Sequence, residues 1–299
     1  VTAMIMLIPL SKTLLTFGIF KSLVKEIPKA LPRQNKNSKI IFWIIFFLGA
    51  LIACFSYISM VNAAKYIFED AANRRMTWFY PQRMNNSVML WAAFNGIIGI
   101  ILFTLSYQLF GKKHGVDSTS WGLKADSKYI LKTIILSLTV FVLYYLLLFA
   151  IYYVFHVDYR FWFMGVRVFQ LEMLIVLAMY VPLFFIFFFS NSLRVNGAMR
   201  IEGQPEWKSM MIAGIANSLG LFLIILIQYI TFAKTGTVFW TTNWLSVNLL
   251  FAIVPMMFVL PYFNRYFFYM TGRVYLGPMV TTLVFIMILS TNTVVYLPI

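Results

Sequence analysis

The chain has 299 residues, of which 62% are hydrophobic and 11% charged, with a net charge of +15 and a mean hydropathy of +0.84. A water-soluble domain carries about 25% charged residues, so this composition excludes an ordinary soluble fold and points to a bilayer as the solvent. The positive charge lies between apolar runs, where topology and anionic lipid explain it better than nucleic acid does. The one cysteine, Cys54, allows no intrachain disulfide or cysteine-based metal site.

A spanning helix needs about 20 apolar residues. In chain order the candidates are 2–20, 40–61, 88–110, 129–155, 169–190, 210–233, 244–263 and 277–297. They lack the alternation of barrel strands, so the expected fold is all-α, a single polytopic transmembrane bundle of about eight spans over 1–299. No basic region precedes the first run, which therefore reads as a span and not as a cleaved signal.

Basic residues set the expected orientation. Lys21, Lys25, Lys29, Arg33, Lys36 and Lys39 follow the first run, and Lys112, Lys113, Lys124, Lys128 and Lys132 the third. Arg194, Arg200 and Lys208 follow the fifth, Arg265 and Arg273 the seventh. Fewer lie on the other side: Lys65, Arg74, Arg75, Arg83, Arg160, Arg167 and Lys234. The positive-inside rule places the first set in the cytoplasm of a bacterial inner-membrane protein and both termini outside. The outer loop 62–87 carries an amphipathic stretch over about 64–78 that suits the membrane surface, followed by Trp78-Phe79-Tyr80-Pro81-Gln82.

Polar residues inside apolar runs are the candidate functional positions. Glu172 reads foremost as a carboxylate paired with Arg160 or Arg167, and secondarily as a proton or substrate site. In the sixth run Gly214, Asn217, Ser218, Leu221, Ile225 and Gln228 share one helical face. That face reads foremost as a packing seam and secondarily as a cavity lined by Asn217 and Gln228, which Asn248 could join. Pro255 and Pro261 are expected to kink the seventh run. His156 and Asp158, with Arg160 and Glu172, form the one cluster that an enzyme acting within the membrane could use. His114 and His156 fall on opposite sides, so no metal site is expected, and no cofactor. Nucleophile-elbow, Walker and zincin motifs are absent.

A set of landmarks carries a resemblance. Tyr80-Pro81-Gln82 with Asn86, Leu90-Trp91 and Asn95, then Trp121-Gly122-Leu123-Lys124, His156-Val157-Asp158-Tyr159-Arg160-Phe161-Trp162, and Thr271-Gly272-Arg273-Val274-Tyr275-Leu276-Gly277 occur in this order. Together they resemble the multi-span membrane module that follows the catalytic domain in bacterial membrane-anchored α/β-hydrolase-family proteins. The catalytic domain itself has no counterpart here, so the resemblance carries over no catalytic residue. It implies a module that anchors or supports an extracytoplasmic esterase- or peptidase-like hydrolase. The expected partners are that hydrolase, as a domain or a separate chain, and anionic lipid headgroups at the cytoplasmic loops. The alternative is a permease or transporter subunit for a lipid-like or small solute, with the membrane half of an ABC exporter as a variant.

Overall fold

Asp126 opens the longest helix. Its backbone carbonyl accepts from the Ile130 amide, and its carboxylate caps the Tyr129 amide at 3.1 Å, satisfying one of the donors that every helix start leaves open. The structure is a computed structural model that describes residues 2–30 and 119–155, most of 181–215 and of 254–290, and single positions elsewhere. Its helices are α1 (Thr2–Thr16), α2 (Gly18–Lys21), α3 (Ser127–Phe155), α4 (Val254–Thr271) and α5 (Leu276–Ser290). A π-turn, Arg194–Ala198, ends a further helical stretch, and residues 206–215 are also helical. The long helix α3 lies against α5 and α1, while α4 contacts α5, α1 and the π-turn.

The described part is thus mostly helical, as expected, but the expectation of about eight spans is corrected. Among the described residues one helix, Ser127–Leu147, is long and apolar enough to cross a membrane. An apolar run of sequence does not guarantee one unbroken helix. The first run breaks at Phe17, whose extended backbone separates α1 from α2. The run expected at 244–263 is described only from Val254 on, as α4, which carries Asn264 and Arg265 on to Thr271. The described part of the last run is the helix Leu276–Ser290. Of the run 169–190 only the part from 181 on is described, in a helical stretch that leaves the α-helical pattern at Arg194, beyond the run. Runs 40–61 and 88–110 lie almost wholly outside the described residues.

The helix α3 is inverted relative to a soluble one. Tyr129, Thr133, Leu136, Ser137, Val140 and Tyr144 are buried, at spacings of three and four that define one face. Leu131, Ile134, Ile135, Leu138, Val142 and Leu146 are exposed. Hydroxyls in this and the other helices bond their own backbone four residues back: Thr133 to Tyr129, Ser137 to Thr133, Thr281 to Gly277 and Thr282 to Pro278. A side chain satisfied inside its own helix needs no water and no second helix.

Proline does not interrupt α4. The described helix continues through Pro261. It stops at Gly272, which takes φ +63 while its amide bonds the Phe268 carbonyl at 2.6 Å. This is the left-handed helix end that glycine accepts without a Cβ penalty.

Candidate functional site: a buried arginine junction

Four stretches distant in sequence meet where α4 ends. The extended segment after α2 joins first: the Lys25 amide donates to the Thr271 carbonyl at 3.3 Å. A Cβ placed on Gly272 would lie 2.5 Å from the Glu26 carbonyl oxygen and 2.7 Å from that of Lys25, so glycine is required here by close approach as well as by φ. The loop before α3 joins next. Val274 donates its amide to Gly122, Arg273 Nε donates to the Lys124 carbonyl at 2.6 Å, and the Tyr275 hydroxyl to that of Leu123 at 2.8 Å. Gly122, at φ +72, lies so close that an added Cβ would meet the Phe268 ring at 2.7 Å.

The fourth stretch supplies Arg200, which is 6% exposed. Its Nε donates to the Asn196 carbonyl at 2.6 Å, Nη1 to Pro28 at 2.7 Å, and Nη2 to Lys29 at 3.2 Å and to Ser120. One guanidinium thereby holds carbonyls of three separate segments while stacking over Phe268 at 4.6 Å from the ring centroid. Arginine suits this role because its donors are fixed in a planar fork. Behind it runs an amide ladder: Asn196 Nδ2 donates to Ser192 Oγ and to the Asn264 carbonyl, Asn264 Nδ2 to Asn191 Oδ1, and Ser192 Oγ to the Val274 carbonyl.

Arg265 lies one turn before Phe268 and Tyr269, its guanidinium 4.9 Å from the Tyr269 ring centroid and 5.9 Å from that of Phe268. It is 5% exposed and ion-paired through Nη2 to Glu206, whose side chain is 47% exposed. The Tyr269 hydroxyl donates to the same carboxylate oxygen. Burial lowers Arg200 from the usual guanidinium range to about 10, with Glu206 opposing. Burial, reinforced by repulsion from Arg200, lowers Arg265 to about 9. Both stay charged at neutral pH. Partial burial pushes the Glu206 carboxyl up, and Arg200 opposes that rise.

The residues singled out from sequence fall elsewhere. His156, Asp158, Arg167, Glu172, Asn217, Gln228 and Asn248 all lie outside the described residues. Of the expected seam, Gly214 and Ser218 are described. Ser218 Oγ bonds the Gly214 carbonyl at 2.8 Å, and a Cβ on Gly214 would stand 2.7 Å from the Phe258 carbonyl. Close helix contact therefore occurs on that face. Among the described residues no group of His, Cys, Asp and Glu could hold a metal.

No protein-family model, curated protein or solved structure matches the chain.

The junction joins the basic stretches near 21–29, 119–128, 194–208 and 265–273, which the charge distribution assigns to one side. Trp121-Gly122-Leu123-Lys124 and the Thr271–Gly277 string, both drawn on for the resemblance, are in direct contact within it. Arg200 and Arg265 were legible only as loop charges, and Glu206 carried no sequence signal. The ladder residues Asn191, Asn196 and Asn264 had one signal, an amide side chain at the end of an apolar run.

Proposed function

We propose that the chain is a membrane-seated helical module that anchors an extracytoplasmic hydrolase. The observation that carries the membrane part is the surface of α3: leucine, isoleucine and valine are exposed along one side, while Thr133, Ser137 and Tyr144 are buried beside Leu136 and Val140 on the other. Water makes that arrangement unfavourable, at about 25 cal/mol for each Å² of apolar surface left wet, whereas lipid makes it neutral. The span Ser127–Leu147 is about 30 Å long at 1.5 Å per residue, the thickness of a bilayer core. The hydrolase part is supported by the ordered landmarks, two of which interlock at the junction. Within the junction Arg200 is architecture: its guanidinium donors end on backbone carbonyls.

Fractionation of source cells, followed by alkaline carbonate washing and intact-mass analysis of the protein in mild detergent, tests this reading. The expected result is a chain that resists carbonate and retains, fused or bound, a partner labelled by a fluorophosphonate serine-hydrolase probe. Release by carbonate would refute the membrane seat. A carbonate-resistant chain with no labelled partner would refute the anchoring role alone.

A further inference from the structure

The charge at the junction does not balance. Arg200 and Arg265 are both more than nine-tenths buried, and among the described residues the one carboxylate ion-paired with either is Glu206, which faces solvent with nearly half its surface. Arg265 Nε and Nη1 are buried without a hydrogen-bond partner. A buried guanidinium left short of acceptors is costly by several kcal/mol, and two in one place repel. Yet the donors converge. Arg265 Nη2 and the Tyr269 hydroxyl both meet Glu206 Oε1, a single oxygen held by a cation and a phenol at the mouth of the junction. Beside it stands Trp207, 64% exposed, a residue type that settles at the headgroup level of a bilayer.

We propose that this position is a phosphate-binding site in which Glu206 Oε1 occupies the place of a phosphate oxygen. Arg265 and Tyr269 are the direct donors, and Arg200, stacked on the same Phe268 ring, adds the second positive charge. Glu206 is a displaceable occupant: its exposed side chain turns out to water as the phosphate enters. A phosphate group has the oxygens to serve both Arg265 and Tyr269; the free anion brings more negative charge than one carboxylate, and a headgroup phosphodiester brings a single charge with additional acceptor oxygens. Its source is either the headgroup of an anionic lipid or free phosphate, and only that choice rests on the membrane reading.

The test uses the full chain, Glu206→Gln and Tyr269→Phe, each followed by thermal unfolding. Inorganic phosphate is titrated into protein in neutral detergent, and in parallel the protein is placed in nanodiscs of phosphatidylcholine with or without phosphatidylglycerol. Glu206→Gln alone should unfold at a lower temperature, because Arg265 loses its counter-charge. Ligand should then restore it, with an affinity about tenfold above that of the parent. Tyr269→Phe keeps the ring and should weaken ligand binding about fivefold. Stabilisation by phosphatidylglycerol alone identifies a lipid site, and stabilisation by inorganic phosphate identifies a site for the free anion. Either result, with the expected order of the variants, supports the proposal. It is overturned if neither probe raises the unfolding temperature of Glu206→Gln, or if both variants bind as the parent does. A soluble chain would leave the inorganic phosphate titration valid, so failure here is distinct from failure of the membrane seat.

Discussion

Replacing Gly272 by alanine should detach the segment 24–30 from the rest of the molecule. Two costs combine. Alanine at φ +63 is disfavoured by about 1–2 kcal/mol. In addition, its Cβ would stand 2.5 and 2.7 Å from the carbonyl oxygens of Glu26 and Lys25. These are backbone atoms that cannot rotate aside, so the segment must withdraw. Withdrawal stretches the bond from the Lys25 amide to Thr271, worth about 1 kcal/mol, and draws Pro28 and Lys29 away from Arg200. The total expected loss is about 2–4 kcal/mol. Gly203→Ala is the matched control. It has φ +74 with nothing within 4 Å of an added Cβ, so it bears the dihedral cost alone. Thermal unfolding of the two variants, with timed trypsin digestion followed at Lys25 and Lys29, separates the contributions. Gly272→Ala should be the less stable and should be cut at these lysines several times faster. Equal destabilisation with equal cutting rates would show that the close approach is not what holds the segment.

The same measurements apply to other positions. Arg200→Lys keeps the charge but replaces a four-bond fork by an ammonium with three donors, so at least one carbonyl is abandoned. Since the site is buried, about 2–4 kcal/mol should be lost, and a loss below 0.5 kcal/mol would contradict the bridging role. Leu136→Ala on the buried face of α3 should cost about 2–5 kcal/mol, while Leu138→Ala on the exposed face should leave unfolding unchanged. Reversal of that order would mean that α3 packs through its other face.

The helix α3 was readable because nothing interrupts its apolar run. The expected start at 129 and the observed start at Ser127 differ by two residues. The expectation of about eight spans failed because hydropathy averages over side chains and is blind to the backbone. The extended Phe17 divides the first run without altering the apolar content around it, while the π-turn at Arg194 and the left-handed Gly272 end helices just beyond the expected runs. The junction escaped notice for a related reason. Arg200 and Arg265 look like solvated loop charges that set orientation, since their positions within or beside basic loops show no pattern of partners. What they meet is main-chain carbonyl groups and aromatic faces, and carbonyls belong to every residue alike. The Trp121–Lys124 and Thr271–Gly277 strings could be recognised as landmarks, but their mutual contact depends on Gly122 and Gly272 having no side chain.

That Arg200 grips main-chain oxygens has an implication for how this molecule tolerates change. A carbonyl is the same group whatever side chain sits beside it, so the strap from Lys25 to Lys29 can be rewritten widely in its exposed side chains. Its length is another matter. Thr271 fixes one end through the Lys25 amide, and Arg200 fixes the other through Pro28 and Lys29. One residue added or removed between these points shifts every carbonyl out of phase with its donor. The segment is a spacer of set measure, constrained in count and free in spelling.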